Sequence, residues 1–194
     1  MAALVLGHGA GGGVQSPDLV GATQAARSAG LTVALVEQPY RVAGRRTPAP
    51  ANQLDAAWIA VVSQLRAGPL SGLPILTGGR SAGARVACRT AAETDSVGVL
   101  CLAFPLHPPG HPEKSRLPEL DAVKVPTLVV QGESDPFGTP PKGKNRTVAP
   151  IPGTHSLKNT TIVAAAVSDW LATMLRILSE PPRPRKRRGQ NRKK

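Results

Sequence analysis

Residues 73–93 read Leu-Pro-Ile-Leu-Thr-Gly-Gly-Arg-Ser-Ala-Gly-Ala-Arg-Val-Ala-Cys-Arg-Thr-Ala-Ala-Glu. An apolar run at 73–77 has strand character, and a helix-forming run follows directly at 82–93. Between them, Gly79-Arg80-Ser81-Ala82-Gly83 matches G-x-S-x-G. A serine on so tight a strand-to-helix turn needs small neighbours, because the strained backbone crowds the helix behind it. The turn lifts the hydroxyl clear of the sheet, and the next backbone N–H can face a developing oxyanion. Taken alone, five residues also fit a small-residue turn that merely contains a serine.

Similar apolar runs lie on either side, at 2–6, 31–36, 97–102 and 126–131. They are short, mostly unalternating and bounded by Gly or Pro, as strands buried on both faces of a parallel sheet are. A weaker sixth strand is expected near 147–151, where Pro150 fits only a sheet edge or a strand end. Helical segments separate them. Ser16 as N-cap, Pro17 at the first position and Gly30 as stop predict a helix over 17–29. Residues 52–66 bring Leu54, Trp58, Val61, Val62 and Leu65 to one face, and a last helix is predicted over about 158–178. The prolines of 37–51, 105–118 and 136–146 predict loops. Alternating strands and helices predict one α/β domain with a mostly parallel central sheet flanked by helices.

Two more residues take positions like that of Ser81. Asp135 sits just past the 126–131 strand, and His155 follows the weak strand near 147–151. Three polar groups at carboxyl ends of strands, in the order Ser, Asp, His, suggest a nucleophile, an orienting acid and a general base. Singly, Asp135 also reads as a turn residue before Pro136, and His155 as a surface histidine. The run Gly7-His8-Gly9-Ala10-Gly11-Gly12-Gly13 after the first strand can supply a second oxyanion N–H, from Gly9 or Ala10, beside that of Ala82. The same run fits G-x-G-x-x-G, with Glu37 ending the next strand, as in dinucleotide folds. There, however, the helix opens inside the glycine run, whereas Ser16-Pro17 places it later. That alternative also leaves Ser81, Asp135 and His155 unexplained, so no cofactor is expected.

The sequence resembles the α/β-hydrolase superfamily, in particular the small dienelactone-hydrolase-like branch. That branch includes the non-specific-lethal complex subunit 3 and testis-expressed hydrolase-like proteins. The stretches that carry the likeness are 4–11, 78–87, Pro-Leu-His-Pro-Pro-Gly-His-Pro-Glu-Lys at 105–114, Val-Val-Gln-Gly-Glu-Ser-Asp-Pro-Phe-Gly at 129–138, and Pro-Gly-Thr-His-Ser-Leu-Lys at 152–158. The resemblance implies an α/β-hydrolase fold without a large lid, and Ser81, Asp135 and His155 as its triad. It also implies a fold shortened by its first antiparallel strands, and a Pro/Gly-rich connection between Asp135 and His155 where the family places a helix. The expected activity is that of a serine esterase acting on a small acyl compound through an acyl-enzyme. His8, Arg80 and His107 are expected to border the substrate, with His111 also near the mouth.

Charge adds a second expectation. The chain of 194 residues carries 24 Lys+Arg against 12 Asp+Glu. Eight of the basic residues lie in 181–194, and without them 16 basic residues face 12 acidic ones. The chain therefore reads as a hydrolase domain over 1–179 followed by a disordered basic tail over 180–194. Residues 183–194 can hold nucleic acid or an acidic partner non-specifically. No aromatic residue interleaves them, so base stacking is not implied. A catalytically inactive scaffold using this tail is the alternative function. No stretch approaches about 18 uninterrupted apolar residues, so no membrane span is expected. Cys88 and Cys101 read as core thiols rather than a disulfide framework or, with His107 and His111, metal ligands. A cytoplasmic location follows as an expectation, and the Arg-rich, Ala-rich composition suggests a bacterial source.

Overall fold

The computed structural model describes residues 1–180. Six strands, β1 (Ala3–Gly7), β2 (Thr32–Val36), β3 (Ile75–Arg80), β4 (Val99–Leu102), β5 (Thr127–Gly132) and β6 (Arg146–Ile151), form one sheet in the order β2-β1-β3-β4-β5-β6. Every pairing between these strands is parallel. Antiparallel opening strands are not among the described residues. The basic tail expected at the C-terminus lies almost wholly outside them.

Side-chain alternation divides the core. Leu4, Leu6, Leu76, Leu100 and Leu102 point to one face, where α1 (Pro17–Ser28) and α6 (Thr160–Ser179) cover them. Ala3, Val5, Ile75, Val99 and Cys101 point to the other, under α3 (Ala51–Ala67), α4 (Ala82–Arg89) and α5 (Leu117–Asp121). Runs apolar at every position are what this two-sided burial requires. On the second side, Arg89 pairs with Asp55 of α3, and both Arg85 and Arg89 reach Glu119 of α5. The helix behind Ser81 is thereby clamped from two directions. Among the described residues α6 alone is long and apolar enough to cross a membrane. Its Val163, Val167, Trp170, Leu171 and Met174 are buried in this core.

Some expectations change. Helix α4 stops at Arg89 and gives way to turns before Ser96, where the sequence predicted a helix to 93. Ser16 is the N-cap residue of α1, yet its hydroxyl makes no capping bond. The segment 37–51 expected to be a loop contains the short helix α2 (Pro39–Val42), and α5 begins at the end of the expected 105–118 loop. Pro39 and Pro118 stand in their first turns, where a missing N–H costs nothing. Cys88 and Cys101 are buried free thiols with sulfurs 3.5 Å apart. Their mutual hydrogen bond and burial push the Cys101 thiol well up.

Candidate active site

Ser81 sits at φ 50° and ψ −107°, a strained conformation for a residue with a side chain. The strain is sustained by what surrounds it. A Cβ at Gly79 or at Gly83 would overlap the Gly7 carbonyl oxygen. The glycines that flank Ser81 therefore let β1 and α4 close on the turn. The amide of Ala82, first in α4, has no partner inside the helix.

Asp135 and His155 come to the same place from β5 and from the loop after β6. His155 Nδ1 lies 2.9 Å from Asp135 Oδ2, and His155 Nε2 lies 3.0 Å from Ser81 Oγ. Since Asp135 can only accept when ionised, Nδ1 carries the proton and Nε2 is free to accept from the serine hydroxyl. The span between Asp135 and His155 holds β6 and no helix, as expected, and still delivers the imidazole to Ser81.

Asp135 is buried and fully partnered. Its Oδ1 accepts from the Phe137 amide at 2.9 Å, and its Oδ2 also accepts from Gln131 Nε2 at 2.7 Å. The same Gln131 Nε2 lies 3.2 Å from the Phe104 carbonyl and 3.0 Å from that of Gly138, which share its second hydrogen. The Phe137 ring lies over His155 with centroids 4.2 Å apart. Neither Gln131 nor Phe137 was picked out from the sequence. The available signal was their spacing, four residues before and two after Asp135.

The glycine run lies against the turn. A Cβ on Gly9 would fall 2.7 Å from Arg80 Nη1 and 3.4 Å from Ser81 Cβ. Gly11, Gly12 and Gly13 face open space. Helix α1 begins at Pro17, beyond the glycines, and Glu37 is exposed, so the arrangement is not that of a dinucleotide site. Tyr40 donates its hydroxyl to the Ala10 carbonyl at 3.2 Å, and burial pushes its phenol up.

The expected substrate contacts are corrected in part. His8 is fully buried and turned inward. Its Nε2 accepts from the Gln38 amide at 2.9 Å, which leaves Nδ1–H to donate to the Gly9 carbonyl at 2.7 Å. With both ring nitrogens engaged by backbone, His8 shapes the loop instead of meeting a substrate. Arg80 borders a cavity of about 540 Å³ with Gly11, Gly12, Ser156 and Lys158, but donates inward to Asp18 and the His155 carbonyl. His107 packs on Gly138 in the Asp135 loop, its Nδ1 2.9 Å from the Pro108 carbonyl, while His111 pairs with Glu113 on the surface.

A family model described as an alpha/beta hydrolase domain matches residues 1–163. A search of curated proteins returned no match. Among solved structures, Est1E from Butyrivibrio proteoclasticus is similar at a TM-score of 0.70 and 16% identity, over 90% of this chain and 88% of that one. XC6422 from Xanthomonas campestris, described as an a/b serine hydrolase without lid, is similar at 0.71 and 20%, over 92% and 84%. A dienelactone hydrolase from Anabaena variabilis is similar at 0.65 and 20%, over 89% and 86%. All three are similar at identities that speak to fold alone. The family match itself runs from before β1 into the start of α6, and on that ground the chain belongs to the alpha/beta hydrolase domain family.

Proposed function

We propose that the protein is a serine hydrolase that cleaves a small ester or related acyl compound through an acyl-enzyme. The observation that carries this reading is the unbroken hydrogen-bonded line from Asp135 through His155 to a strained Ser81. Ser81 Oγ attacks the substrate carbonyl carbon as its proton passes to His155 Nε2. The imidazolium then protonates the departing alkoxide, which leaves as the alcohol. Water, deprotonated by the same nitrogen, attacks the acyl carbon, and Ser81 regains its proton as the acid departs.

The oxyanion of each tetrahedral intermediate needs two donors. One is the Ala82 amide. For the other we take Ala10 over Gly9, because His8 pins the Gly9 carbonyl. In that trans peptide the Ala10 N–H must point the opposite way, away from His8. The neighbouring cavity, about 540 Å³, falls in the range of small-molecule sites. The only helix between β4 and β5 is the five-residue α5, which suits small soluble substrates better than long-chain lipids. The stretches at 105–114 and 129–138 support a dienelactone-hydrolase-like specificity within the family.

A fluorophosphonate probe tests the reading. After reaction, peptide mass spectrometry is expected to find the adduct on Ser81. Folded protein that forms no adduct, or forms it elsewhere, refutes the assignment. Replacing Asp135 by Asn is expected to lower kcat for p-nitrophenyl acetate by about 10⁴-fold. The Asn amide would donate to Nδ1, forcing the proton onto Nε2, where it blocks transfer from Ser81. Far-UV circular dichroism should stay unchanged, and a fall under tenfold would remove Asp135 from the mechanism.

A further inference from the structure

We propose that Arg80, oriented by Asp18, is a positioning residue that fixes the backbone of His155. The inference rests on Ser81, His155 and Asp135 performing the chemistry proposed above. Three observations carry it. Arg80 ends β3 beside Ser81, and its side chain is only 14% exposed. Its Nε donates to Asp18 Oδ2 at 2.8 Å, and its Nη2 donates to the His155 carbonyl at 3.1 Å. That second bond is the only hydrogen bond to the His155 main chain among the described residues.

The histidine loop needs such a tether. Between Ile151 and Thr160 the chain has no regular structure, and before α6 its one main-chain bond to another main-chain group is that of the Ser134 N–H, in the loop after β5, with the Gly153 carbonyl. The imidazole is steered at its ring by Asp135, Ser81 and Phe137. A ring held only at its far end still swings with its backbone. Arg80 closes that freedom by tying the carbonyl of His155 to the residue next to the nucleophile.

Asp18 fits this setting. It is a carboxylate 1% exposed, in the first turn of α1, far in sequence from the chemistry. Its charge is compensated by Arg80, by the Leu19 amide on Oδ1 at 2.9 Å, and by the positive end of the helix. Helix α1 in turn is locked to α6 at Gly21, where a Cβ would fall 2.6 Å from the Thr160 carbonyl oxygen. The guanidinium plane is thus set by an element that does not move with the loop. A lysine at position 80 must bring both acceptors within reach of a single nitrogen, whereas the rigid guanidinium meets Asp18 from Nε and the His155 carbonyl from Nη2.

The test uses the full chain, p-nitrophenyl acetate, and the variants Arg80→Lys and Asp18→Asn. Arg80→Lys is expected to lower kcat by roughly 10- to 100-fold while KM stays within about threefold, since a displacement near 1 Å costs on that order. Asp18→Asn, which keeps an acceptor but not the charge, should change kcat in the same direction by less. In proton NMR, the His155 Hε1 signal, assigned by its loss in His155→Ala, is expected to broaden or split in Arg80→Lys. Unchanged kcat and an unchanged His155 signal in folded Arg80→Lys overturn the proposal. So does a rise in KM at constant kcat, which makes Arg80 a substrate contact, or a fall in kcat without change at His155. If Arg80→Lys does not fold, Asp18→Asn is judged by the same two readouts. If the wild type turns over no ester, the proposed function fails, yet the NMR comparison still decides the role of Arg80.

Discussion

Replacing Ser81 with glycine is expected to abolish ester turnover and at the same time yield a more stable protein than replacing it with alanine. Both variants lose the nucleophile, and a loss of about 10⁶-fold in kcat is the scale for such residues. They differ in the backbone. At φ 50° and ψ −107° an alanine keeps the strain that Ser81 bears, whereas glycine tolerates that region freely. Strain of this kind costs about 1–3 kcal/mol, and the extra freedom of glycine in the unfolded chain returns about 0.5–1 of it. Both variants also lose the bond to His155, so their difference isolates the backbone contribution. A net gain of about 1 kcal/mol for glycine over alanine should appear in urea titrations at unchanged slope. Equal midpoints would mean that the turn is not strained in solution.

Gly83→Ala carries the largest expected cost in stability. Its new methyl would overlap the Gly7 carbonyl oxygen and lie 2.6 Å from the Gly7 carbonyl carbon and 2.9 Å from the His8 oxygen. All three are backbone atoms at or just past the end of β1, so no side chain can swing aside. Either α4 retreats from the sheet or the loop carrying Ala10 moves off Ser81. A destabilisation of about 3–5 kcal/mol is expected, lowering the thermal midpoint by roughly 10 °C or more. Gly11→Ala is the matched control. Nothing lies within 4 Å of its Cβ, so its midpoint should stay within a degree or two. Comparable losses in the two variants would show that the close approach at Gly83 is absent in solution.

The strands were legible in the sequence because burial on both faces leaves a simple mark, a run without polar alternation. The turn around Ser81 was legible because sterics dictate its small residues. Asp135 and His155 could be placed because the ends of parallel strands gather at one edge of the sheet. Side-chain direction was harder to read. His8 stands between Gly7 and Gly9, and its neighbours give no hint that its ring turns inward to bind the Gln38 amide. Asp18 escaped notice for a related reason, since its partner Arg80 is 62 positions away and only the packed fold brings the two together. The short helices α2 and α5 were hidden by prolines that mark breaks in a helix interior but are harmless in a first turn.

Pro150 has a consequence beyond its place in β6. Asn145 and Ile151 turn their carbonyls toward β5, accepting from Thr127 and Glu133, so the odd-numbered residues face the sheet. The even-numbered ones face outward. Of these, Arg146 exchanges both its main-chain bonds with Gly143, and Pro150 has no N–H to offer. Val148 is left as the one outward-facing amide of β6 without such a bond. A foreign strand approaching this border finds few donors to zip onto, which makes β6 a poor template for strand addition from that side.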